Sequence, residues 1–311
     1  MRSCTVMNDA ALPGYADLPV RDGLPPGSSW GVWGDHDVLG TLNLLTPDRV
    51  VAATAAIRTG RTFGLNLELT LPDPPLFGRA SFRHEVTSER NEVHDDVYHG
   101  WNTQSSSQWD GFRHMGHRDH GHYGGVPDAE HGVHHWAARG IVGRAVLADV
   151  ARWRAEIGRP LRQGEADPIS ADDLFACLAA QGSRIETGDV LLLRTGYLAW
   201  YRGLDRAGRE AHAATPLTPG LAGADVPGVL WDLHIAAIAA DNPAVEVIPP
   251  TRPFLHTMLL PLLGLPLGEL WDLDALADDC VAAGTYDAFL TSAPLNMPAG
   301  VASPPNAIAI R

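Results

Sequence analysis

The chain has 311 residues and a formal charge of -14, with 37 acidic side chains against 23 basic ones, and every basic one is arginine. Without lysine there is no Schiff-base nucleophile, no phosphate loop ending in Gly-Lys-Ser/Thr and no kinase strand lysine. The acidic balance excludes a basic stripe for nucleic acid and disfavours an anionic membrane surface.

In chain order, residues 1–35 are rich in Gly, Pro and Asp and carry Trp30 and Trp33. They read as an irregular arm packed through its aromatics, ahead of a single domain over 36–311. The N-terminus lacks the apolar core of a signal peptide. Thr46-Pro47-Asp48 predicts a helix start, with Thr46 as N-cap and Pro47 in the first turn, running to about Arg58. RTFGLNLELT (61–70) alternates like a strand. Residues 71–140 form a long polar stretch full of His, Asp, Gly and Ser, of the kind that carries function when ordered.

Regular units then return. Residues 144–150 read as a buried strand, and Ser170 with Asp173 as a capping start to a helix ending at Gly182. Strands follow at 189–196 and 235–241, a helix or tight turn at 254–264, and a last strand at 286–295. This alternation predicts a mixed α/β domain without internal repeats. Residues 258–267 are the most apolar stretch, but Pro261 and Pro266 interrupt it and it is too short to span a bilayer. Cys4, Cys177 and Cys280 have neither disulfide-framework nor zinc-finger spacing, so a cytoplasmic setting is expected.

Nine of the 14 histidines lie between His94 and His135. Clustered His and Asp suit zinc, manganese or iron, although a surface loop of biased composition would look the same. Asp110 and His114 are four apart. An extended segment would put Gln104, Gln108 and Asp110 on one face, a helical turn would put Asp110 beside His114, and a change between the two at Gly111 is open.

The spacing Gln104-xxx-Gln108-x-Asp110-xxx-His114 resembles the HxGTHxDxPxH motif of the metal-dependent cyclase family. That family includes bacterial kynurenine formamidases, isatin hydrolases and some polyketide cyclases. GTLNLLTP (40–47), GIVGRAVLADV (140–150), GDVLLLRTG (188–196), IAAIAADNPAVE (235–246) and LHTMLLPLLGLPLGELWDL (255–273) fit the same resemblance. It covers most of the chain from about residue 30, and GTLNLLTP with QWDGFRH looks like a longer subgroup of the family.

The resemblance implies an α/β swivelling β/β/α fold, with a central mixed sheet and flanking helices, and a homodimer or higher homo-oligomer. It implies a divalent metal held by Asp110, with His256 and Glu269 completing the set, and His114 as general acid/base. Gln104 and Gln108 stand where the family has two metal-binding His, and Phe112 stands at its Pro. Glutamine is a harder, weaker donor than imidazole, so the expected ion shifts from Zn(2+) toward Mn(2+) or magnesium, or one ion binds where relatives hold two.

The implied chemistry is hydrolysis of a cyclic amide or ester, or of an aryl amide, by metal-activated water. The substrate is then a small molecule, cyclic or aromatic. Trp101 and Trp109 could wall a planar substrate or simply pack, and Arg113, Arg83 or Arg194 could receive a carboxylate. Asp95 and Asp96 read as solvated acids or pocket residues. Ser105, Ser106 and Ser107 raise a serine nucleophile, but no GxSxG elbow supports it. A cyclase or dehydratase without net hydrolysis, and a non-catalytic His-rich metal-binding protein, are the alternative readings.

Overall fold

Buried apolar runs in strand conformation set the frame. In the computed structural model, which describes residues 12–89 and 92–311, these runs are the central strands of one sheet. In chain order the strands are β1 (Thr62–Gly64), β2 (Arg83–Glu89), β3 (Val93–His99), β4 (Gln108–Asp110), β5 (Ile141–Asp149), β6 (Pro168–Ile169) and β7 (Val190–Arg194). They continue as β8 (Gly220–Leu221), β9 (Ala237–Ala240), β10 (Leu267–Glu269), β11 (Asp287–Ser292), β12 (Ala302–Ser303) and β13 (Ala307–Ile310). Nine of them form the main sheet, in the order β1-β13-β11-β5-β7-β9-β10-β4-β12.

Its centre, β5-β7-β9-β10, is parallel, and every pairing outside it is antiparallel. Parallel strands are covered on both faces, which is why Val190, Leu191, Leu192 and Leu193 are all fully buried and show no alternation. The helices α1 (Pro47–Ala53), α2 (His134–Arg139), α3 (Val150–Glu156), α4 (Ala171–Ala180) and α5 (Tyr197–Arg202) flank it. With them go α6 (Arg206–Ala214), α7 (Val226–Asp232), α8 (Leu255–Leu259) and α9 (Asp274–Ala283). The fold is thus the mixed α/β arrangement of a central sheet with flanking helices. Among the described residues no helix is long and apolar enough to cross a membrane.

The local signals explain several boundaries. Thr46 caps α1 by accepting from Arg49 N, and Ser170 and Asp173 form a reciprocal capping box on α4. α1 is shorter than its pattern predicts, because residues 54–56 tighten into a 3-10 turn. The strand expected over 61–70 pairs only as β1. Beyond it Leu65 N bonds Ala307 O, while Leu65 O accepts from Asp272 N, so the chain leaves the sheet. Residues 286–295 are not the last strand: β12 and β13 follow, too short and too close to prolines to stand out. The arm is tied down by Trp30 Nε1 to Pro261 O at 2.7 Å and by Trp231 Nε1 to Pro13 O at 2.9 Å. Cys4 lies outside the described residues, whereas Cys177 and Cys280 are buried and free.

The polar stretch 71–140 is not one long loop. β2 and β3 pair into a hairpin in which every residue of β3 is exposed. A ribbon with no buried face leaves no period-2 signal.

Candidate active site

β4 places the first half of the site. It is fully buried and runs antiparallel to β10, with Gln108 opposite Glu269 and Asp110 opposite Leu267. Chain direction changes at Gly111, where His114 N donates to Gly111 O at 2.8 Å and closes a turn. A Cβ at Gly111 would sit 2.5 Å from Val301 O, so only glycine allows this close approach. Extension up to Asp110 followed by a turn brings Asp110 and His114 together, the change of conformation that the spacing left open.

The second half comes from the other side of the chain. Glu246 accepts from Leu255 N at 3.0 Å and His256 N at 3.1 Å, fixing the start of α8, and its Oε1 also bonds His256 Nδ1. The other ring nitrogen, Nε2, lies 3.0 Å from Glu269 Oε1 and 3.8 Å from Asp110 Oδ2. Burial opposes charge on His256, but the carboxylates of Asp110, Glu246 and Glu269 hold its proton well above the usual histidine range. Glu269 goes the other way. Burial and the neighbouring charge of Asp110 push it up to about 7.

His114 is held by an amide. Gln104 Nε2 donates to Asp110 Oδ1 at 2.7 Å and lies 2.8 Å from His114 Nδ1. The group facing a carboxylate must be the amide nitrogen, so Nδ1 accepts and the imidazole proton sits on Nε2, 3.6 Å from Asp110 Oδ2. Burial first, then the positive charges of His256 and Arg79, keep His114 below the usual histidine range, and it is neutral at neutral pH.

Two buried acceptors here have no hydrogen-bond partner, Asp110 Oδ2 and Gln108 Oε1. An unsatisfied buried acceptor costs about 1–3 kcal/mol, more when charged. Ligand atoms of Asp110, His114 and His256 also lie within 4.8 Å of one another, a group that could hold a metal ion. With Glu269 crowded against Asp110, the donor set fits a divalent cation. Gln108 has an oxygen free for that role while its Nε2 donates to Glu269. Gln104, expected as a ligand, has its amide nitrogen turned inward, as a clamp on Asp110 and His114.

These groups open into a cleft of about 280 Å³ whose lining includes His114, Glu246, His256 and Glu269. The expected substrate contacts lie elsewhere. Trp109 is fully buried, donates to Ser292 Oγ at 2.9 Å and packs edge-on to Trp271, because neighbouring strand residues point to opposite faces. Trp101 sits near Tyr98, outside the lining. Arg113 is taken up by Ala299 O and Asp128, Arg194 by Asp149 and Asp274, and Arg83 by Glu85 on the hairpin.

Asp95 and Asp96 are exposed on β3. The hydroxyls of Ser105, Ser106 and Ser107 donate to the backbone oxygens of Asn102, Glu68 and Leu270, which leaves no serine nucleophile. Sequence reasoning missed Glu246 and Arg79. The signal for Glu246 was an acid at the end of the mostly apolar stretch 235–246. Arg79 had none.

A family model described as "Putative cyclase" matches residues 53–247, more than half of the chain. The chain belongs to the cyclase family. A crystal structure described as a novel cyclase is 32% identical, with a TM-score of 0.83, over 91% of this chain and 99% of the other. Isatin hydrolase A from Ralstonia solanacearum shares the cyclase fold at 20% identity and a TM-score of 0.60, over 86% of this chain and 98% of its own. An isatin hydrolase bound to the product analogue thioisatinate aligns at 16% identity and 0.56, covering 84% and 94%. No curated protein matches the sequence of this cyclase-family chain.

Proposed function

We propose that the cleft hydrolyses a small cyclic amide or ester, or an aryl amide. The observation that carries this reading is the group Asp110, His114 and His256 beside an apolar cleft that both histidines line, with Asp110 Oδ2 and Gln108 Oε1 buried and unpartnered. Asp110, Gln108 and His256 would hold a divalent ion, Mn(2+) or Zn(2+), with Glu269 beside them. Such an ion supplies positive charge that acidifies water and polarises a carbonyl.

The chain's own residues do the rest. Glu246 fixes the His256 ring through Nδ1, leaving Nε2 turned toward Asp110 and Glu269. His114 starts neutral with its proton on Nε2. Nδ1 is its unprotonated nitrogen, and when the Gln104 carboxamide swings away from it, Nδ1 is the base. It takes the proton of the attacking water as the C–O bond forms. It returns that proton to the leaving nitrogen or oxygen as the C–N or C–O bond breaks. The apolar walls keep bulk water from competing for this proton.

The test is a panel of isatin, dihydrocoumarin and formanilide, with the ring opening or deformylation followed by absorbance before and after chelation. Chelator-sensitive turnover of at least one, restored by Mn(2+) or Zn(2+), is expected. No turnover of any would favour a binding protein. A homodimer is part of the same reading, supported by the exposed Val86, Val93 and Tyr98 of the hairpin, and light scattering tests it.

A further inference from the structure

Apart from the groups at its floor, the cleft is walled by apolar side chains such as Phe77, Met115, Ile248, Pro250 and Phe254. One arginine stands among them, Arg79. Its Nη1 donates to the backbone oxygen of Gln104, which ties it to the residue that clamps Asp110 and His114. Among the described residues its remaining nitrogens have no hydrogen-bond partner and no carboxylate lies within 4.0 Å of it, in a chain with 37 acidic residues. Arg113 and Arg194, by contrast, are both spent on acids. Arg79 is close enough to the floor for its charge to pull both His114 and Glu269 downward.

The backbone around it is unusual as well. Phe77 has φ +59° and Gly78 φ +69°. A left-handed conformation is a real cost for an aromatic residue, and such strain persists where surrounding structure enforces it. Here it sets the Phe77 ring, 44% exposed, at the cleft with the Arg79 guanidinium 5.4 Å from its centroid.

We infer that Arg79 is the specificity-determining residue of the cleft, pairing through its free donors with a carboxylate on an aromatic or cyclic apolar substrate whose ring Phe77 covers. A guanidinium presents a planar fork that fits a carboxylate bidentately, and an apolar, partly closed wall strengthens that pairing. The inference rests on the cleft being the substrate site, and it narrows the proposed substrate to anionic ring compounds.

Binding rather than turnover tests it, so that it can fail separately from the hydrolase reading. Benzoate and benzamide share a shape and differ in charge, and both are titrated calorimetrically into the wild type, R79Q, R79K and F77A, with and without chelator. Benzoate should bind the wild type roughly tenfold or more tightly than benzamide, the size of one charge-assisted contact. R79Q should erase that difference while benzamide binding is unchanged, R79K should keep part of it, and F77A should weaken both ligands together.

Equal binding of the two by the wild type overturns the inference. So does a benzoate preference that survives in R79Q, or one that chelation alone removes, since the anion would then be held by a metal. A preference that behaves as expected in a protein that turns over none of the hydrolysis panel leaves Arg79 assigned and removes only the hydrolase reading.

Discussion

Two groups of histidines are built differently, one in the cleft and one in the segment that follows His114. In the cleft, each ring is fixed by groups from other elements: His256 between Glu246 and Glu269, and His114 against Gln104 with Asp110 beside it. In the segment after it, His117 stacks on His120 with centroids 4.7 Å apart, and His134 lies against His135 at 3.9 Å. His122 pairs with Asp128, and His131 is buried with neither nitrogen bonded. Among the described residues only Asp110, His114 and His256 form a group that could hold a metal. Density of histidine along the sequence is therefore not what builds the site. Convergence of carboxylate, amide and imidazole from separate strands, turns and a helix is.

Substitutions that leave one region intact while breaking the other sharpen this contrast. The largest effect is expected for D110N, which removes the buried carboxylate that Gln104, His114 and His256 all face. Metal content and hydrolysis of the panel should both fall to background, measured by elemental analysis and absorbance. H114A should lower turnover by about 10²–10⁴-fold while the protein keeps its metal, because it removes the proton carrier alone. Loss of metal in H114A would instead make that imidazole a ligand. E246Q should cost about 10–100-fold in metal affinity, as expected when the group orienting a ligating histidine is weakened. The double variant H117A/H120A should change neither metal content nor turnover.

The sequence showed the central strands and the capped helices because their signals are local: long β-branched and leucine runs, Thr46, Ser170 and Asp173. Asp110, His114, His256 and Glu269 were reachable only through a resemblance spread over most of the chain, since nothing local says that residue 110 will face residue 256. The tryptophans were misplaced for a related reason. Trp109 adjoins Gln108 and Asp110 in sequence, and strand geometry sends it to the opposite face. Arg79 was invisible because its meaning lies in a missing partner, a property that exists only after folding.

The histidines outside the cleft also bear on stability. His131 is 1% exposed between Phe112 and Tyr123, and burial, then the positive charges of His135, His122 and Arg113, push it down to about 4. An unfolded histidine titrates near 6.5. Between these values the unfolded chain binds a proton that the folded chain refuses, so stability rises with pH across this window. The contribution is complete above about pH 6.5 and is lost as pH falls toward 4, at about 1.4 kcal/mol per unit of pKa difference. Urea unfolding of the wild type at pH 7 and pH 4.5 should show that loss, and H131F should show a shallower dependence whatever its absolute stability. A slope unchanged by H131F would place the acid sensitivity in the carboxylates of the cleft instead. The second region would then be inert in both function and folding.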